Sequence, residues 1–86
     1  MSIYLTDEPF AKSALAYAKE DQLAKVVLLQ DAVYLARSTD FRGQIYVMAE
    51  DVVRRGIQST IPANVHIIEY SDLIDMMEKD RVVNFL

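Results

Sequence analysis

The apolar positions of this 86-residue chain fall in short runs whose spacing switches between two periods. Ile3, Tyr4 and Leu5 make the first run and read as a short strand. The period then changes: Phe10, Ala14, Leu15 and Ala18 recur at helical spacing and predict one apolar helix face. Asp7, Glu8 and Pro9 stand before it, an acidic cap followed by a proline suited to a first helical turn. Residues 25–29 are nearly all apolar, and Val26, Val27, Leu28 and Leu29 leave no polar side. That is the pattern of a strand buried on both faces of a parallel sheet. Gln30 ends the run, and Asp31 is placed to cap a helix over residues 32–37 that is apolar on most sides. A polar connection over 38–43 leads to a third strand at 44–48. Glu50 and Asp51 then open a helix with negative charge at its positive end, and Gly56 closes it behind Arg54 and Arg55. A loop over 61–64, a fourth strand over 65–69 and a last helix capped by Ser71 follow. Leu73, Ile74, Met76 and Met77 share one face of that helix, and residues 82–85 predict a short fifth strand.

Strands alternating with short helices predict a single α/β domain over residues 1–86. Its expected architecture is three layers, α/β/α, around a mostly parallel sheet of four to five strands. Helices are expected on both faces, because the strand at 26–29 has no side to show water.

Composition sharpens this picture in three ways. First, 52% of the residues are hydrophobic, and a chain of 86 has little interior in which to place them. The helix over 32–36 carries Val33, Tyr34 and Leu35 in succession, so one of its sides cannot face its own sheet. Association with a partner, or self-association, is therefore expected. Second, the net charge of −4 speaks against direct nucleic-acid binding, and Arg54-Arg55 is too small to be a basic patch. Third, there is no cysteine, which excludes disulfides, thiolate metal sites and a cysteine nucleophile from these residues. The start, Met1-Ser2-Ile3-Tyr4, lacks the basic and apolar regions of a signal peptide, and the apolar runs are too short to span a bilayer. A cytoplasmic protein with no membrane partner is expected.

In open α/β sheets ligands collect beyond the carboxyl ends of the strands. Those ends present Thr6-Asp7, Gln30-Asp31, Ala49-Glu50-Asp51 and Tyr70-Ser71-Asp72. A metal-dependent site would need three of Asp7, Asp31, Glu50, Asp51 and Asp72 to converge, but each has a cap or first-turn role that accounts for it better. His66, the sole histidine, reads as a strand residue with a satisfied hydrogen bond rather than a ligand. No glycine-rich loop follows a strand, and no serine stands on a glycine elbow. No catalytic residue, no metal ligand and no cofactor is predicted. The candidate pocket or interface residues are Gln30, Asp31, Tyr34, Glu50 and Tyr70. One functional reading of the residues alone is a homo-oligomeric module binding a small ligand, anionic or nucleotide-like, at the helix starts.

A second reading comes from resemblance. Val26-Val27-Leu28-Leu29-Gln30-Asp31-Ala32-Val33-Tyr34 resembles the DsrH/TusB pattern of a hydrophobic strand, an acidic or amide pair and a short apolar helix, with Ala32 where that family usually has glycine. The stretch from Ile45 through Tyr46, Glu50 and Asp51 to Arg54-Arg55-Gly56 resembles the family's tyrosine-bearing strand, acidic helix start and helix end. Ile68-Glu69-Tyr70-Ser71-Asp72-Leu73 is similar to its later strand end, and Glu8-Pro9-Phe10 to its opening. The ending Asn84-Phe85-Leu86 departs from members that finish on tryptophan. The resemblance implies a DsrE/F/H-like fold and a structural subunit of a DsrEFH/TusBCD-like complex, beside DsrE/TusD-like and DsrF/TusC-like partners. Such complexes relay persulfide sulfur toward tRNA 2-thiouridine or intracellular sulfur oxidation. Some members carry a cysteine in the first helix; Tyr17 and Ala18 stand nearest to that position here, which implies a non-catalytic role.

Overall fold

The computed structural model describes residues 2–7, 10–20, 23–37, 41 and 43–85. Five strands make one sheet: β1 (Ser2–Thr6), β2 (Lys25–Leu28), β3 (Gln44–Met48), β4 (His66–Ile68) and β5 (Arg81–Phe85). Their spatial order is β4-β3-β2-β1-β5, and every pairing is parallel. The α/β class, the strand count and the parallel sheet are those that the periodicity predicts. The strand at 82–85 forms and begins one residue earlier. It pairs with β1 from Ser2↔Arg81 to Thr6↔Phe85, and the buried Thr6 hydroxyl donates to the Phe85 carbonyl at 3.2 Å.

The helices are α1 (Ala11–Lys19), α2 (Ala49–Arg54) and α3 (Tyr70–Lys79), with a 3-10 helix at Gln30–Arg37 and a 3-10 turn at Gln58–Thr60. α1, the long 3-10 helix and α2 pack on one face of the sheet. There Ala11, Leu15, Ala18, Ala32, Val33, Ala36 and Val52 meet Val26, Leu28, Ile45 and Val47. α3 covers the opposite face, where Leu73 and Met76 meet Ile3, Leu5, Val27, Met48 and Ile68. Val26, Val27 and Leu28 of β2 are fully buried, as their run predicts.

Several local expectations are corrected. Glu8 and Pro9, expected at the first helix start, lie outside the described residues. Phe10 occupies the N-cap of α1 without a side-chain hydrogen bond and is exposed, so Ala11 takes its place in the apolar face. The segment expected as a helix capped by Asp31 is a 3-10 helix beginning at Gln30. With three residues per turn, side chains align every third position. Asp31, Tyr34 and Arg37 therefore fall in one exposed row, while the rows Ala32–Leu35 and Val33–Ala36 turn inward. This resolves the crowding of apolar residues: the outward row holds the tyrosine, with the Arg37 guanidinium 5.9 Å from its ring centre. Ser71 does not cap α3. A capping box of Glu69 and Asp72 does, in which the Glu69 backbone N–H donates to Asp72 Oδ2 at 3.0 Å. The expected face of α3 also splits, since Leu73 and Met76 turn to the sheet while Ile74 and Met77 remain exposed.

Gly56 ends α2 as predicted. Its φ of 65° is left-handed, its N–H donates to the Val53 carbonyl at 3.0 Å, and the Ile57 N–H reaches back to Val52 at 3.2 Å. That pair of bonds is a Schellman motif, and Val52 and Ile57 are both buried in the same core cluster. At the amino edge of the sheet, Lys25 Nζ lies 3.1 Å from Asp80 Oδ2 and ties the start of β2 to the α3–β5 junction.

Candidate functional site

The carboxyl ends of β2, β3 and β4 meet in a small cleft of about 140 Å³. Leu29 and Met48 contribute apolar surface, while Gln30, Glu50, Asp51, Arg54 and Tyr70 supply its polar lining. The sheet puts these residues together because β2 and β3 run in register and each hands its chain to a helical segment at this edge.

Backbone conformation at Gln30 sets the geometry. Its φ is 48°, a left-handed value that is uncommon for a residue with a Cβ. The chain leaves β2 and turns straight onto the closed face of the sheet, and Gln30 is the residue that turns it. Its N–H donates to Asp51 Oδ2 at 2.9 Å, so a carboxylate in the first turn of α2 holds the turn in place. Asp51 in turn lies beside Arg55, whose Nη1 is 3.6 Å from Asp51 Oδ1 and donates to the Asp51 carbonyl at 3.2 Å. The same guanidinium donates from Nη2 and Nε to Asp31 Oδ1, at 2.9 and 3.1 Å. Glu50 pairs with Arg54 at 2.6 Å, one helical turn along. The acids at this edge are thus committed to one another's arginines and to the backbone, which is the outcome their cap and first-turn positions suggest.

Of the five candidate residues, Gln30, Glu50 and Tyr70 line the cleft together. Asp31 is turned away to Arg55, and Tyr34 lies on the exposed row of the 3-10 helix under Arg37. Arg54, Leu29 and Met48 line the cleft without having been candidates, and Asp51, weighed only as a metal ligand or first-turn acid, joins them. Arg54 carried a readable signal, because it stands four residues after Glu50 on one helix. Among the described residues, no three His, Asp or Glu side chains are grouped so as to hold a metal ion.

His66 occupies the edge strand β4, exposed and stacked on Tyr46 with ring centres 5.0 Å apart. Both rings border a second, more open groove of about 670 Å³ between β4 and α3, lined also by Ile68, Asp72, Asp75 and Met76. Among the described residues the His66 ring has no side-chain hydrogen-bond partner, and its contact is this stacking. Among the described residues no helix is long and apolar enough to cross a membrane.

An all-parallel five-stranded α/β domain with a polar, internally paired ledge at its strand ends is the class that fold and site define. The model of the family described as DsrH like protein matches residues 8–83, and the chain belongs to that family. Membership makes it a protein of the sulfur-relay-subunit kind. Among solved structures, the crystal structure of the ychN protein from E. coli is similar in fold, with a TM-score of 0.73 over 98% of this chain and 97% of that one at 16% identity. No curated protein matches the chain.

Proposed function

We propose that this chain is a cysteine-free structural subunit of a DsrEFH/TusBCD-like sulfur-relay complex, completing an assembly whose thiols belong to its DsrE/TusD-like and DsrF/TusC-like partners. The observation that carries the reading is a family match across residues 8–83 in a chain of 86 with no cysteine. The chemistry explains why the two belong together. In persulfide relay an acceptor thiolate attacks the outer sulfur of a donor persulfide, takes that sulfur, and releases the donor as a thiolate. The acceptor must be a thiolate before the step and a persulfide after it. Methionine has no proton to lose, and a serine without an adjacent base is a poor nucleophile. This chain therefore contributes shape to the relay, at the cleft formed by Gln30, Glu50, Arg54 and Tyr70, while a partner supplies the sulfur carrier. Its setting is the cytoplasm, and the recipient is tRNA 2-thiouridine synthesis or intracellular sulfur oxidation.

The test incubates the purified chain with a persulfide donor bearing labelled sulfur, alone and with a cysteine-bearing DsrE-like homologue. The expected result is label on the homologue and none held covalently by this chain. Label retained by this chain alone would overturn the reading.

A further inference from the structure

α3 carries more apolar surface than it buries. Tyr70, Ile74 and Met77 follow one another at i, i+4 and i+7, so they form a line along one side of the helix. They are 63%, 53% and 39% exposed. Leu73 and Met76, beside that line, point to the sheet and complete its cover. By helical periodicity the remaining arc of α3 holds Asp72, Asp75 and Glu78. Between residues 69 and 80 stand five carboxylates (Glu69, Asp72, Asp75, Glu78, Asp80) and one lysine, in a chain whose whole net charge is −4. The negative excess of the protein is concentrated on the helix that exposes the apolar line, and among the described residues only Asp80 of those five has an ion-pair partner, Lys25.

We propose that the line Tyr70–Ile74–Met77 is a docking ridge, and that its occupant is a partner subunit presenting an apolar groove rimmed by lysine or arginine. The proposal rests on the sulfur-relay reading above and adds to it the surface and the partner's chemistry. Charge selects the occupant. A second copy packed ridge to ridge about a two-fold axis would bring the carboxylates nearest the ridge, Glu78 and then Asp75, of two α3 helices toward each other, and like charges across an interface oppose it. A basic rim turns the same carboxylates into steering and pairing groups, around an apolar line laid in the groove in the manner of other helix-in-groove contacts. Position adds a functional link: Tyr70 opens the ridge and also lines the strand-end cleft, so a subunit seated on the ridge reaches Gln30, Glu50 and Arg54.

The experiment titrates the full chain against the cysteine-bearing DsrE-like and DsrF-like proteins of its host, at low and high salt, and follows the complex by sedimentation. Ile74→Lys puts a cation at the centre of the ridge on an exposed position, and its melting curve checks that the fold is kept. Binding weakened roughly tenfold or more, as for a central interface contact, with wild-type binding also falling as salt rises, supports the ridge. Tyr70→Ser provides a second variant should Ile74→Lys melt early. Undiminished binding by both variants overturns the ridge and leaves the sulfur-relay reading standing. Failure of the wild-type chain to bind either protein overturns both. A salt-insensitive homodimer that Ile74→Lys disperses shows that a second copy occupies the ridge, and overturns the proposal.

Discussion

Among the described residues, three helical segments lie on one face of the sheet and a single one lies on the other, and the two faces are built from different residues. On the crowded face the helices present alanine: Ala11, Ala14 and Ala18 from α1, and Ala32 and Ala36 from the 3-10 helix, all buried. Small side chains let those backbones sit close to the branched residues of β2 and β3. On the other face α3 buries Leu73 and leaves Tyr70, Ile74 and Met77 exposed. Val27 and Ile3 are nonetheless at 0% exposure there, so the sheet itself is covered. What differs is the outer side of the cover. The crowded face exposes Phe10, Tyr17, Tyr34 and Val53 on three separate segments, whereas α3 sets Tyr70, Ile74 and Met77 in one line.

The largest expected effect tests whether the crowded face is the foundation of the fold. Leu28, the last residue of β2, is fully buried among the residues that α1 and the 3-10 helix cover. Leu28→Asp puts a carboxylate there with no cation to pair it, at a cost of several kcal/mol, which is a large part of the total stability of a domain this small. No soluble, cooperatively melting protein is expected. A variant with a normal melting curve and circular dichroism would show that the crowded face is not the core it looks like.

The open face should yield less. Leu73 is the buried residue of α3, and Leu73→Ala is expected to cost about 2–3 kcal/mol, near the low end for buried leucines because the surrounding surface can relax. The protein should remain folded with a lower denaturation midpoint. A loss as large as that from Leu28→Asp would erase the distinction between the two faces, and a loss near zero would mean that α3 is held chiefly by its capping box and by Lys25–Asp80.

The crowded face was also the more legible one. Val26, Val27 and Leu28 announce a doubly covered strand because burial on both sides forbids polar residues on either, and the structure places them at 0% exposure. Gly56 was readable because only glycine takes a left-handed φ without strain, and the Schellman bonds it enables are present. α3 was harder. Its apolar residues span a wide arc, and periodicity cannot say which part of that arc meets the sheet. The Glu69–Asp72 box went unrecognised because a box built from two acids departs from the Ser/Thr pattern, and Ser71 next door fits that pattern. At the strand ends, position along the sheet edge alone points to Gln30, Glu50 and Tyr70, which the structure brings to one cleft. Asp31 and Tyr34 stand outside that cleft, because a 3-10 period of three, unlike 3.6, sets both on the outer row.

The smallest expected effect concerns the hinge between the cleft and the crowded face. To bring the 3-10 helix down onto β2 within one residue, Gln30 takes a φ of 48°, which costs about 1 kcal/mol for a residue with a Cβ. Gln30→Gly removes that strain and keeps the backbone N–H that Asp51 accepts. Glycine's greater freedom in the unfolded chain offsets part of the gain, by roughly 0.5 kcal/mol or more. A net stabilisation of a few tenths of a kcal/mol follows, or a rise of roughly 2 °C in melting temperature for a chain this size. Glutamine at a position where glycine is better for folding then points to a use for its side chain in the cleft, as strain held at a functional turn would suggest. The sign of the shift decides: a melting temperature that falls in Gln30→Gly would mean that the glutamine side chain supports the fold, and the turn would belong to the packing of the crowded face rather than to the cleft.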